Sequence, residues 1–425
     1  MISPLGNSRE KLWSGLRGGV SGVAELRNVP ADSLPCHYGA ECREFTGAIE
    51  EFGPLEKDLK RSITKGRKVM CREIQMGVAA AQLALIDAAM MPSSYDPERT
   101  GCIYGCDYLL TMPEEFTDGI RNCTDPEGKF HFSQWGEKGL PKVDPLWLLK
   151  FLPNMPASHI AIYNDLRGPN NSLTLREASA NAALAESYLT IVRGHADVML
   201  AGATGSHIHP TKSVQATLEE EVALGDDPAR LSRPFDRDRH GQVLGEGSAA
   251  VILETLDRAT KRGAKILGEV IGYGSSTVVD AKGKANRGQA IENVLRQALR
   301  TSGLTADQVG HLHAHGLATK SCDREEAQAI QRVFSERNKP LPVVAAKGHF
   351  GNLGAAGGMI EMLGSLFALA DGQLFGTLNY ETPDPDCPIN VVKSADVDAG
   401  DTFINVNVSP QGQASAIVVR RMTSA

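Results

Sequence analysis

The sequence is short of cysteine, of long apolar runs and of excess charge of either sign. Eight cysteines are scattered through 425 residues. None forms a CxxC pair, and Cys102 and Cys106 stand alone with three residues between them. Cysteine this sparse excludes a disulfide scaffold and fits free thiols in a reducing cytoplasm. No apolar run reaches the roughly 18 residues that span a bilayer. The start, MISPLGNSREKLW, lacks the basic residues and apolar core of a signal peptide. Net charge is -7 with 22% charged residues, which gives no electrostatic reason to expect nucleic acid. An acidic carrier protein would need a local basic patch, which net charge does not reveal. The 43 glycines and 22 prolines are spread along the chain, so no linker or low-complexity tail stands out.

What is present is enough apolar residue, 42%, to bury a large core in two or more domains. Residues 70–90 and 178–193 read as alanine-rich buried helices, the second closed by Gly194. Residues 196–204, 248–256, 309–315 and 403–409 read as strands, and 290–299 and 324–334 as helices. Such alternation predicts α/β layers with helices covering sheets. A charged stretch, DRATKRGA at 257–264, separates two blocks of similar alternation. A boundary there divides the chain into 1–256 and 257–425. No internal repeat is visible.

Four segments, in order, carry a family likeness. They are 152–204, which includes SLTLREASANAALAESYLTIV; 232–254, SRPFDRDRHGQVLGEGSAAVILE; 314–326, AHGLATKSCDREE; and 345–358, AAKGHFGNLGAAGG, followed by NYETPDPDCPINVV at 379–392. Together they resemble the β-ketoacyl-acyl-carrier-protein synthases of the thiolase superfamily. The resemblance implies an α/β, thiolase-like fold of two similar halves, each with a mixed five-stranded sheet and helices in layers. It implies a role in fatty acid or polyketide biosynthesis. The substrate would ride on the phosphopantetheine of an acyl carrier protein, with no other cofactor and no metal. It also implies a homodimer, or a heterodimer with a cysteine-bearing synthase.

The main departure is at the nucleophile. In the family a cysteine opens a buried helix, where unpaired N–H groups and the helix dipole favour the thiolate. Counted from Gly168-Pro169 and back from 196–199, that position falls on Glu177. A carboxylate attacks thioesters poorly, and the resulting anhydride is less stable than the thioester consumed. The bland alternative is that Glu177 is an ordinary first-turn acid.

Other positions follow from the same likeness. His315 matches the histidine that stabilises an enolate during loss of CO2. Asp323 and Glu326 match the acids eight and eleven residues later. Two threonines that contact pantetheine are here Leu317 and Thr319. Lys347 matches the family lysine. Asn352 stands where a second histidine is usual, and an amide can still donate to an oxyanion; His349 is the alternative if the alignment slips. Ser409 and Pro410 replace a gating phenylalanine and a glycine, and proline removes an N–H. The family also begins with a buried strand ahead of the SPLGN turn, whereas Met1 lies within it. A misassigned start is the preferred reading, because a missing strand would expose sheet edges.

Four functions compete. One is a non-condensing partner that shapes the acyl tunnel, like a chain-length factor. A second is a malonyl-carrier decarboxylase working through His315 and Asn352. A third is a metal hydrolase using His311, His313 and His315, which alternate along one strand face; the His207 and His209 pair reads as loop decoration. The last is an ordinary synthase whose nucleophile is Cys102, Cys106 or Cys322, against the habit of buried thiols to be inert.

Overall fold

The computed structural model describes residues 1–90 and 92–422. Ten strands build two sheets. The first contains β1 (Thr100–Cys106), β2 (Asn170–Leu173), β3 (Val198–Ser206) and β4 (Glu246–Glu254) in the order β2-β1-β3-β4. Its β2-β1 and β1-β3 pairs are parallel and β3-β4 is antiparallel. The second contains β5 (Glu269–Thr277), β6 (His311–His313), β7 (Pro342–Val344), β8 (Asn390–Val391), β9 (Thr402–Val408) and β10 (Gln413–Arg420). Its order is β8-β7-β6-β9-β10-β5, with both hairpin-side pairs antiparallel.

Four and six strands thus replace the expected five and five. In the second sheet, five strands are joined by the two-residue edge strand β8. In the first, the place outside β4 holds one residue: Ile2 pairs with Ser248 through two backbone hydrogen bonds of 2.7 and 2.9 Å.

Six helices fix the layers: α1 (Arg72–Asp87), α2 (Ser179–Val192), α3 (Pro210–Glu219), α4 (Arg287–Ser302), α5 (Lys320–Phe334) and α6 (Gly357–Asp371). The sequence of α6, GGMIEMLGSLFALAD, is apolar on every side, and such a helix belongs inside. It lies with α2 between the sheets, where the two touch strands of both. By contrast α4 is one-faced: Ala290, Ile291, Val294, Leu295 and Ala298 are buried at helical spacing, and they pack on β5, β9 and β10 from outside. On the other flank α1 covers β3 and β4. The result is five alternating layers, with the starts of the two central helices and the ends of β3, β6 and β9 brought together.

Candidate functional site

Glu177 occupies a one-turn 3-10 helix, Arg176–Ala178, that runs directly into α2. Arg176 before it has φ of 52°, a left-handed conformation that non-glycine residues adopt at a cost of roughly 1–3 kcal/mol. Glu177 is 2% exposed. Its Oε1 accepts from Asn352 Nδ2 at 3.0 Å, and its Oε2 faces Arg176 Nε at 3.8 Å. Asn352 Nδ2 also donates to Gln242 Oε1 at 2.9 Å. An amide nitrogen carries two hydrogens. Both are engaged, so Asn352 has no donor left for a developing oxyanion.

The second half of the site is built on His315, 1% exposed at the end of β6. Glu326 of α5 receives the backbone N–H groups of His315 and Gly316 at 2.7 and 2.8 Å. Asp323 receives those of Ala318 and Phe235 at 3.0 and 2.7 Å. Both acids therefore hold loops in place. Burial pushes Asp323 up to about 6 and Glu326 up to about 8 against the opposing pull of these N–H groups. Thr319 caps α5, its side chain accepting from Cys322 N, and is fully buried.

Lys347 Nζ donates to Glu361 Oε1 at 2.5 Å, to the His315 carbonyl at 2.8 Å and to His315 Nδ1 at 3.3 Å. Asn407 is oriented by two strong partners. Its Nδ2 donates to Glu361 Oε2 at 2.7 Å, and its Oδ1 accepts from Asn181 Nδ2 at 2.9 Å. The same Nδ2 lies 3.4 Å from His315 Nδ1. Nδ1 thus faces only donors and must accept, which assigns the ring proton to Nε2. Burial, then the charges of Lys347 and Arg287, hold His315 well below its ordinary pKa, so the ring is neutral. Gly358 matters here because a Cβ on it would lie 2.2 Å from Asn407 Oδ1.

The two halves meet through Asn181 and Asn407, one turn beyond Glu177 and beside His315. No hydrogen bond joins Glu177 to His315 directly among the described residues. Ser409 closes the β9-β10 hairpin, exchanging backbone hydrogen bonds with Gln413 and Gly412. This is a tight turn with Gly412 at φ 80°. His349 is turned away, between the carbonyls of Val20 and Gly376.

The competing ligands fare differently. His311 and His313 use Nδ1 on Ala399 O and Ser365 Oγ. No group of three His, Cys, Asp or Glu among the described residues could hold a metal ion. His207 and His209 are buried at 3% and 7%, not loop decoration, and His207 faces Asp107 at 3.4 Å. Cys102, Cys106 and Cys322 are buried, and burial drives each thiol well above its ordinary pKa.

Sequence reasoning missed Gln242, Glu361, Asn407, Asn181 and Arg176. Two of them carried a signal. Glu361 is a lone acid inside an apolar helix, and Asn405 and Asn407 alternate along an otherwise apolar strand.

Comparison with known proteins decides the family. The N-terminal domain of β-ketoacyl synthases matches residues 1–259, and the C-terminal domain matches 267–381. This chain belongs to the β-ketoacyl synthase family. A 3-oxoacyl-[acyl-carrier-protein] synthase 2 from Synechocystis sp. is 28% identical over 393 residues, covering 92% of this chain and 88% of that protein. A β-ketoacyl synthase from Burkholderia phymatum superposes with a TM-score of 0.84 at 25% identity, covering 99% of this chain and 97% of the other. The ishigamide ketosynthase/chain length factor superposes with a TM-score of 0.82 at 24% identity, with the same coverage. The thiolase-like fold and a place among the synthases of fatty acid and polyketide biosynthesis follow. No helix among the described residues is long and apolar enough to cross a membrane.

Proposed function

We propose that this β-ketoacyl synthase homologue is a non-condensing partner subunit, comparable to a chain-length factor, that pairs with a cysteine-bearing synthase in the cytoplasm. The observation that carries this is the 3.0 Å bond between Glu177 and Asn352. One contact accounts for two losses. The position read as the nucleophile holds a carboxylate, and that carboxylate occupies a donor that decarboxylation would need. Condensation and decarboxylation both suffer.

Several surfaces support the partners. The outer edge of β2 pairs with nothing among the described residues and can extend across a two-fold axis. In the chain between β1 and β2, Phe132, Leu140, Leu146 and Leu148 are exposed apolar residues in one stretch, which suits a protein interface. The helix Lys57–Gly66 exposes Lys57, Lys60, Arg61 and Lys65, with Lys68 just beyond, a basic patch suited to an acidic acyl carrier protein. The only prosthetic group needed is the carrier's phosphopantetheine.

The test is sedimentation and condensation assay of this chain mixed with a cysteine-bearing synthase from the same source. A stable heterodimer that condenses malonyl and acyl carriers is expected. Two non-interacting proteins, with the synthase unaffected, would reject the reading. A decarboxylase reading has one observation in its favour, the neutral His315 with its proton on Nε2. It requires Asn352 to leave Glu177.

A further inference from the structure

A second group of buried polar side chains lies beside the first, and several of its atoms are unmet. Asp107 and His207 follow the ends of β1 and β3, adjacent parallel strands that pair Cys106 with Thr204. They are 0% and 3% exposed. Asp107 Oδ1 accepts from the N–H of Tyr108 at 2.9 Å. Asp107 Oδ2 and both ring nitrogens of His207 make no hydrogen bond among the described residues, although Oδ2 and Nε2 are 3.4 Å apart. Arg176 Nε and Glu177 Oε2 are unmet in the same way, at 3.8 Å from each other. Buried polar groups are almost always paired, so unpaired ones gathered in one place need an explanation.

One loop ties the two donor–acceptor pairs together. Gly354 N donates to Asn352 Oδ1 at 3.2 Å, and Asn352 Nδ2 holds Glu177. Gly354 has φ of 57°. A Cβ on it would stand 2.9 Å from His207 Nε2 and 3.2 Å from Asp107 Oδ2. Glycine here keeps side-chain atoms away from both unmet groups.

The neighbouring cations already have partners. Lys212 Nζ donates to Glu73 Oε1 at 2.6 Å and to the Ser206 carbonyl at 2.9 Å. Arg176 Nη1 donates to Glu219 Oε2 at 2.7 Å. Burial pushes Asp107 up, but Lys212, His207 and Arg176 together hold it down to about 2, so it is ionised and only accepts. The atoms left over are mixed in kind. Asp107 Oδ2 and Glu177 Oε2 accept, while Arg176 Nε and a His207 nitrogen donate. An ammonium only donates and a carboxylate only accepts, so each would meet half of the set. A hydroxyl does both.

A ring of half-buried residues stands between this group and solvent. Tyr108 Oη donates to Gln215 Oε1 at 2.9 Å, Gln215 Nε2 donates to Glu219 Oε1 at 2.9 Å, and Glu219 holds Arg176. Arg176 closes the ring, 5.5 Å from the Tyr108 ring centroid. Lys212 lies 5.2 Å from the same centroid, on the buried side. The links of the ring are hydrogen bonds between partly exposed side chains, which water replaces at little net cost.

We propose that Asp107 and His207, with Arg176 and Glu177, form a binding site for a neutral polyhydroxylated molecule, entered through the Tyr108–Gln215–Glu219–Arg176 ring. One hydroxyl donates to Asp107 Oδ2 and accepts from His207. Another donates to Glu177 Oε2 and accepts from Arg176 Nε. The site does not depend on the partner reading above, because all four side chains belong to this chain.

The test is hydrogen exchange of the full chain titrated with erythritol, a four-carbon tetrol, and in parallel with 1,4-diaminobutane and with succinate. Erythritol should slow the amides at 107–110 and 207–209, and the effect should saturate. At ten times the Kd, exchange that requires this site to open should slow about tenfold. Amides of α4 should not change, which separates binding from general stabilisation by a polyol. Asp107→Asn should weaken the binding about tenfold, the worth of one charged hydrogen bond. The titration of the unaltered protein decides the matter even if that variant does not fold. No local slowing with erythritol, or equal slowing in α4, would overturn the proposal. So would slowing by the diamine or by succinate alone, which would make the ligand an ion. Slowing that never saturates would mark an adventitious additive only and would overturn it as well.

Discussion

Glu177 and Asn352, 175 positions apart in the chain, are joined by a buried hydrogen bond of 3.0 Å that consumes one amide hydrogen of Asn352 while Gln242 takes the other. The pair locks the helix start of one half onto the loop after β7 of the other. Removing one side leaves its partner buried without an equivalent.

Glu177→Ala should therefore destabilise the protein by about 2–3 kcal/mol, from an unmet donor and a small cavity together. Glu177→Gln keeps an acceptor for Asn352 and should cost about 1 kcal/mol or less. Urea unfolding of the three proteins checks the order. An alanine variant as stable as the parent would show that the bond holds nothing.

The Lys347–Glu361 pair is buried on both sides, at 1% and 0% side-chain exposure. Lys347→Met should cost about 3–5 kcal/mol, because Glu361 is left charged and uncompensated. Adding Glu361→Gln should recover part of the loss. A double variant no better than the single would place the damage elsewhere, and a urea-unfolding cycle gives the answer.

His315 supplies a pH dependence of known sign. Its folded-state pKa lies well below 6.5 because of burial and the charges of Lys347 and Arg287. Below about 6.5 the unfolded chain therefore takes up a proton that the folded chain refuses. The stability advantage of the parent over His315→Asn should be full above that pH and shrink as pH falls. Unfolding of both proteins across that range measures it. An advantage that grows toward acid would contradict the neutral ring.

Much of this was legible beforehand, and the reasons are local. The α1, α2, α4 and α5 helices each announce themselves by apolar periodicity, within a few residues of their ends. The order of the four motif segments carried the two-half fold. Glu177, His315, Asn352 and Lys347 stood out because a motif surrounds each. The pairing of Glu177 with Asn352 was not readable, because it depends on how two loops from different halves meet. Nor were the roles of Asp323 and Glu326, since a carboxylate that holds backbone N–H groups looks in sequence like one that meets a ligand. Thr319 is a similar case: in sequence, a hydroxyl that caps a helix is indistinguishable from one that touches a substrate. The strand counts were missed at the sheet edges, where one bridge at Ile2 and two residues at β8 leave no periodic trace.

No thiol should behave as a hidden nucleophile. Seven of the eight cysteines are buried, and the eighth, Cys71, is pushed up to about 12 by burial and by Glu73. Native protein treated with a maleimide at neutral pH should stay unmodified at Cys102, Cys106 and Cys322 on the timescale of acyl transfer, as read by peptide mass spectrometry. Rapid labelling at any of the three would reopen the case for an ordinary synthase.

The most direct measurement is incubation of the purified chain, alone, with malonyl-acyl carrier protein, followed by mass analysis of chain and carrier together. With no thiol at the helix start and no free donor on Asn352, both masses should be unchanged. Acetyl-carrier protein in the products, or an acyl adduct on the chain, would contradict the account.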